Sequence, residues 1–243
     1  MRRFAIAGTL ICVLGCSSPP SGSEDAGTRP PDDARPSETD ARPSETDAAP
    51  IDTDCAIDGD GRTTLVFLNN CSRMLEMRGS DIESASIAPG ATACRDIGSA
   101  DEELSAKRYW GFLGDDPGPE RHTLAEFTFN TDFHDFDWYN ISHVDAHNLT
   151  MRITPRARPD CDTLLCDDPA LLAECPDVGR YEDASGELVS CVSPSRDDPE
   201  SEVALHFESC EDGYAWSGDD QRGEDRSPVR ACAGEDWEIV FCP

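Results

Sequence analysis

Thr123-Leu124-Ala125-Glu126-Phe127-Thr128-Phe129-Asn130 is the stretch that decides the fold. Its side chains alternate: Leu124, Glu126 and Thr128 on one face, Ala125, Phe127 and Phe129 on the other. A period of two, carried by aromatic and β-branched residues, is a strand with one face in a core. The same pattern appears on both sides. Thr63 to Leu68 is β-branched and apolar, after the turn signal Asp58-Gly59-Asp60-Gly61. Leu149, Met151 and Ile153 alternate with Thr150, Arg152 and Thr154, and Trp237-Glu238-Ile239-Val240-Phe241 is a final strand. Short strands between Gly and Pro turns predict a mainly β fold, an antiparallel sandwich or flattened barrel. The stretch 161–191 differs: it is Cys-rich, and Pro169 to Glu174 predicts a short helix with Asp168 as N-cap and Pro169 at N1.

The N-terminus reads as a targeting signal. Met1-Arg2-Arg3 is basic, and Phe4 to Gly15 is a 12-residue apolar stretch. That length fits a signal peptide and is too short to span a bilayer. It ends at Val13-Leu14-Gly15-Cys16, which resembles a bacterial lipobox and implies lipidation of Cys16. Ser17 and Ser18 follow, which favours the outer membrane. Residues 16–54 are then a lipidated Cys and a tether, with DARPSET at 33–39 and again at 40–46. The tether has almost nothing apolar to bury, so disorder is expected. Its Pro and acid content keep it extended. Residues 55–243 are left as one folded domain, expected to be monomeric.

The chain of 243 residues carries 50 Asp plus Glu against 20 Lys plus Arg, a formal net charge of −30. Such an acid excess argues against nucleic acid as a partner, since phosphate recognition needs clustered cations. The expected membrane contact is through the lipid anchor alone. Gly-x-Ser-x-Gly and a phosphate loop are both missing, so serine hydrolase and nucleotide roles lack support.

Twelve Cys are present. Cys12 lies in the signal and Cys16 is the lipid site. The ten others are an even number in an oxidising compartment, which predicts five disulfides. Zinc would want C-x-x-C pairs or a nearby His, and the closest pair, Cys161 and Cys166, has neither. His134, Asp135, Asp137, His143, Asp145 and His147 lie within 14 residues. Only on a helix would His143 and His147 share a face as zinc ligands do, and this region reads as strand and loop. No metal and no cofactor are expected. Asp58 to Gly61 resembles a calcium loop without its closing Glu, and a turn explains it.

Several strings resemble thaumatin-like proteins in the family's order: TLVFLNNCS at 64–72, APG at 88–90, RYWGF at 108–112, TLAEFTFN at 123–130, YNISHVDAHNLTMRITP at 139–155, CDTLLCDDPALLAECP at 161–176, EDGYAW at 211–216 and WEIVFCP at 237–243. The resemblance spans nearly all of 64–243. It implies a β-sandwich with a small, partly helical Cys-rich lobe. It implies the pairs Cys71–Cys242, Cys161–Cys232, Cys166–Cys210 and Cys175–Cys191, and leaves Cys55–Cys94 as the fifth. The first pair joins the domain's ends and would remove about 4–5 kcal/mol of unfolded-state entropy.

The resemblance also implies an acidic cleft lined by one Arg, one Glu and three Asp. Glu126, Asp145 and Asp212 stand at three of those places, Asn140 replaces an Asp, and Phe112 replaces the Arg, with Arg108 on the other side of the strand Trp. Glycoside hydrolysis needs one protonated and one ionised carboxyl. Glu126 would be the acid, its pKa raised by Asp145 and Asp212. Phe112, Asn140 and the carboxylates suit sugar binding: a ring to stack, an amide and acids to bond hydroxyls. The leading expectation is therefore a lipid-anchored envelope protein that binds a polysaccharide, a β-glucan first, without turnover. An endo-β-1,3-glucanase with Glu126 as general acid is the alternative. A disulfide-stapled adhesion module with a vestigial cleft is the third.

Overall fold

The computed structural model describes residues 59–131, 136–223 and 227–243. The expected signal, lipidation site Cys16 and tether, and also Cys55, therefore lie outside the described residues. So do His134 and Asp135.

The first four strands are β1 (Arg62–Asn69), β2 (Leu75–Gly79), β3 (Ala85–Ile87) and β4 (Thr92–Ser99). Then come β5 (Leu104–Leu113), β6 (Leu124–Thr131), β7 (Phe136–Ser142), β8 (Ala146–His147), β9 (Met151–Pro155) and β10 (Leu164–Cys166). A Cys-rich stretch follows, with α1 (Ala170–Ala173), β11 (Arg180–Glu182), β12 (Leu188–Val192) and α2 (Glu202–Phe207). The chain closes with β13 (Gly213–Tyr214), β14 (Arg230–Cys232) and β15 (Asp236–Phe241). None of the described helices is long and apolar enough to cross a membrane.

Two sheets make the sandwich. One has the order β10-β9-β15-β1-β4. The other runs β13-β7-β6-β5-β2-β3, with β14 also on β7. A third, β11-β12-β8, belongs to the lobe. The pairing is antiparallel as expected, with two exceptions. β1 runs parallel to β15, with Phe67 opposite Ile239, and β13 runs parallel to β7. First and last strands meet in mid-sheet running the same way, which no hairpin can connect.

The alternation read from β6 is realised: Ala125, Phe127 and Phe129 are fully buried or nearly so. Their rings meet the other sheet, with Phe127 edge-on to Trp237 at 5.4 Å and Tyr139 against Trp237 at 4.4 Å. Phe67 reaches Tyr109 across the same interface at 5.8 Å. Such aromatic pairs add to the burial of large side chains. The turn before β1 also forms, with Gly59 and Gly61 at positive φ and Asp60 Oδ1 accepting from Arg62 N.

The pairs Cys71–Cys242, Cys161–Cys232, Cys166–Cys210 and Cys175–Cys191 are all present. Cys94 is also disulfide-bonded. The Cys55–Cys94 pairing itself falls on Cys55, outside the described residues.

The predicted helix at 169–174 is α1. Asp168 Oδ1 accepts from Ala170 N at 2.9 Å and Ala173 N bonds to Pro169 O, so Asp168 does cap the turn. A second helix, α2, was not expected. Its signal is local: Ser201 caps Ala204 N through its hydroxyl, and Val203 and Phe207, four residues apart, bury one face.

Candidate functional site

The site grows from the outer face of the larger sandwich sheet. On β5, β6 and β7 the buried positions are Tyr109, Ala125, Phe127, Tyr139 and Ile141. The side chains between them point the other way. Register then makes a row across three strands, with Arg108 opposite Glu126 and Glu126 opposite Asn140. Arg108 Nε lies 3.0 Å from Glu126 Oε1, and Asn140 Nδ2 donates to Glu126 Oε2 at 3.0 Å. Each carboxylate oxygen is thus held from a different neighbouring strand.

Asp145 joins the row from the turn between β7 and β8. Asn148 anchors that turn: its Oδ1 accepts from Thr123 N at 2.8 Å and its Nδ2 donates to Gly111 O at 2.9 Å. Asp145 O accepts from Ser193 N, and its carboxylate meets Arg196 Nη1 at 3.2 Å. Burial raises the Asp145 carboxyl above the ordinary range, and the charges of Glu120 and Glu126 push the same way. Arg196 and Arg108 oppose it. Asp145 and Glu126 therefore feel each other and share Arg108 as a neighbour.

A third contributor comes from β13 and the segment after it. Burial raises the Tyr214 phenol, and the charges of Asp220, Glu126 and Asp219 add to that. Asp219 is buried and accepts from Ala215 N at 2.8 Å. Ser217 N donates to Arg196 O, which ties this segment to the loop that carries Arg196. Tyr214, Asp219 and Asp220 were not singled out in the sequence. Their signal is Gly218-Asp219-Asp220, an acidic pair five residues past Tyr214, and only the tertiary fold brings it near Glu126.

Two expected features differ from what the structure shows. Phe112 lies on the same strand face as Arg108 but four residues away, about 14 Å along the strand. It is only 3% exposed, with the Arg78 guanidinium 4.9 Å above its ring and His122 beside it at 5.7 Å. A ring covered in this way has no face to offer a sugar. The cation it was thought to replace is present as Arg108, because residues two apart on a strand share a face. Asp212 has partners of its own: Arg230 Nη2 at 3.4 Å and Leu165 N at 3.1 Å. It lines a separate recess with Cys166, Asp168 and Cys210. Within the row, burial lifts the Asp145 carboxyl, and Glu126 accepts from Arg108 and Asn140.

His143 and His147 do meet, through a strand and turn, with their Nδ1 atoms 3.3 Å apart. Both are fully buried against Phe207, and burial pushes both imidazoles down, His143 to about 3. His143, Cys166 and Cys210 could geometrically surround an ion, but both sulfurs are spent in a disulfide and supply no thiolate. Asp137 lies elsewhere, buried at Trp237.

Residues 114–204, which contain Glu126, Asn140 and Asp145, match the model of the Thaumatin family. Over these residues the chain is similar to the thaumatin-like proteins. A glucan endo-1,3-beta-glucosidase of Prunus avium is 30% identical over 141 residues, covering 50% of this chain and 55% of that protein. The pathogenesis-related thaumatin-like protein 3.6 of Cryptomeria japonica is 30% identical over 130 residues, covering 49% and 50%. The chain spans about half the length of the curated relatives it matches. The thaumatin-like xylanase inhibitor TLXI superposes with a TM-score of 0.37 at 14% identity, over 74% of this chain and 99% of that one. That superposition is too loose to add to the assignment.

Proposed function

We propose that this protein binds a neutral polysaccharide, a β-glucan first, without turning it over. In this reading it is a lipoprotein of a bacterial envelope, anchored through Cys16 at the outer membrane, with residues 16–54 as a spacer. The observation that carries the binding reading is the row Arg108–Glu126–Asn140. Both oxygens of Glu126 are held by neighbours, so a guanidinium, a carboxylate and an amide sit in fixed positions. Preorganised groups of this kind bond hydroxyls without a further ordering cost. The glucosidase name of one relative is consistent with a glucan as ligand.

One observation favours the second reading, an endo-β-1,3-glucanase. Asp145 is held toward its protonated form by burial while sharing a neighbourhood with Glu126. Glycoside hydrolysis requires a carboxyl that holds a proton to donate, with a second carboxyl close by. In that case Asp145 is the proton donor and Glu126, held by Arg108 and Asn140, the second carboxyl.

The test is the full chain with disulfides intact, incubated with insoluble β-1,3-glucan while retention and reducing-sugar release are followed together. Saturable retention without release, weakened by Glu126→Gln, supports binding. Release that Asp145→Asn abolishes establishes the hydrolase and overturns the binding-only reading. No retention on the glucan sinks both and leaves an envelope or adhesion module with a vestigial cleft.

A further inference from the structure

The Cys-rich lobe buries a group that the glycan reading does not use. His143 follows β7, Cys166 ends β10, Cys210 follows α2 and Gly213 begins β13. His143 Nε2 lies 3.0 Å from Cys166 Sγ. The ligand atoms of His143, Cys166 and Cys210 all lie within 4.8 Å of one another. Gly213 keeps the space beside them open. A Cβ built on it would stand 2.9 Å from His143 Nε2 and 3.2 Å from Cys210 Sγ. Pairing with Ile141 on β7 fixes that backbone in place.

The two cysteines also line a recess of about 270 Å³, of which they are the buried members. Asp167, Asp168, Glu211 and Asp212 line the same recess. Four carboxylates on a chain of net charge −30 draw cations toward it and repel anions.

We infer that reduction of the Cys166–Cys210 bridge opens a zinc site made of Cys166, Cys210 and His143. While the bridge is intact, neither sulfur is a thiolate and the site is closed. A small-molecule dithiol opens it by exchange. One of its thiolates attacks a bridge sulfur, the S–S bond breaks, and the other cysteine leaves as a thiol. The dithiol's second sulfur then closes onto its first and releases the attacked cysteine. Two electrons and two protons have passed to the protein, and the dithiol is left as a cyclic disulfide. Zinc binding sends both thiol protons to solvent.

The donor set selects zinc over a hard cation. Two thiolates and an imidazole suit a borderline-soft ion, and three protein ligands leave the fourth position to a water. Burial keeps His143 in the neutral form that ligates a metal. His147 Nδ1 stands 3.3 Å from His143 Nδ1, the ring nitrogen away from the sulfurs, and holds the ring in orientation. Two thiolates cancel the charge of the dication, so the buried complex carries no unpaired charge. The site shares no residue with the Arg108–Glu126–Asn140 row, and either reading stands without the other.

The test uses the full chain with cobalt(II) as the probe for zinc. Thiols already free are alkylated first. The chain is then treated with limiting dithiol and freed of it under nitrogen, and peptide mapping identifies the cysteines released. Cobalt(II) is expected to give a thiolate charge-transfer band at one ion per chain after reduction and none before. Zinc should bleach that band and protect Cys166 and Cys210 from alkylation. His143→Gln should weaken cobalt(II) about a hundredfold and His147→Gln about tenfold. Gly213→Ala keeps all three ligands and should abolish the band. Circular dichroism of each oxidised variant should match the parent.

Cys166 and Cys210 freed in a folded chain that gives no thiolate band overturns the inference. So does a band that a folded His143→Gln leaves unchanged, since other cysteines then hold the ion. A band already present before reduction overturns the gating. A bridge that stays closed until circular dichroism shows the chain unfolded makes it purely structural and overturns the site. A band that needs reduction, His143 and Gly213 together is the supporting result.

Discussion

Asn140 Nδ2 donates to Glu126 Oε2 at 3.0 Å across the β6–β7 pair, at directly opposed register positions. An amide there can donate, and an aspartate could not. The consequence is a carboxylate fixed as an acceptor.

Asn140→Asp should replace that hydrogen bond with two opposed carboxylates. Like charges directly opposite on a sheet destabilise it by about 1 kcal/mol. The loss is expected at low salt and should shrink at about 1 M salt, where the repulsion is screened. Urea midpoints at the two salt concentrations decide it. An equal loss at both would mean that the amide serves packing and charge is immaterial.

Asp137 is buried, and burial raises its carboxyl to about 6, although Asn130 N and Trp237 Nε1 donate to it. Between its unfolded value of about 3.8 and about 6, the folded state holds a proton that the unfolded chain has released. Its stabilising contribution is full below the lower value and is lost as pH rises through the upper one. Relative to Asp137→Asn, the parent should therefore gain about 3 kcal/mol as pH falls from 7 to below 4. A parent-minus-variant difference that stays flat in denaturation from pH 7 to 4 would contradict this.

His143 and His147 act in the opposite sense. Both are buried and held neutral, so the unfolded chain takes up protons that the folded lobe refuses. Stability from this pair is present above the unfolded value of 6.5 and is lost as pH falls below it. Limited proteolysis at pH 4.5 should open the lobe around Cys166 and Phe207 faster than at pH 7. His143→Gln should reduce that acid sensitivity, and an unaltered pH profile in a folded variant would count against the mechanism.

Cys71–Cys242 closes a separation of 171 residues, and Cys175–Cys191 only 16. Loop-closure entropy makes the first worth about 5 kcal/mol and the second about 3. Removing Cys71 and Cys242 together should therefore lower the melting temperature more than removing Cys175 and Cys191. The reverse order would point to enthalpic terms inside the lobe.

Much of the sandwich was legible. Ala125, Phe127 and Phe129 announce their inward face by alternation, and all three are buried. The four described disulfides agree with the pairs implied by the family strings. The parallel meeting of β1 with β15 was not legible, because it joins segments more than 160 residues apart. α2 went unread although Ser201 and the Val203–Phe207 spacing announce it. The site was legible only in part. Glu126, Asn140 and Asp145 come together, while Phe112 is covered and Asp212 turns to Arg230.

Periodicity is local, so the sequence by itself determined which residues form strands and which of their faces is apolar. It also determined the acid excess and the even set of cysteines available for bridging. Register, burial and through-space charge are properties of segments brought together. The tertiary structure alone decided that Arg108 and Asn140 both grip Glu126, and that burial lifts the Asp145 carboxyl beside them. It alone decided that Phe112 is covered by Arg78 and His122, because exposure depends on what the neighbouring segments place beside a side chain.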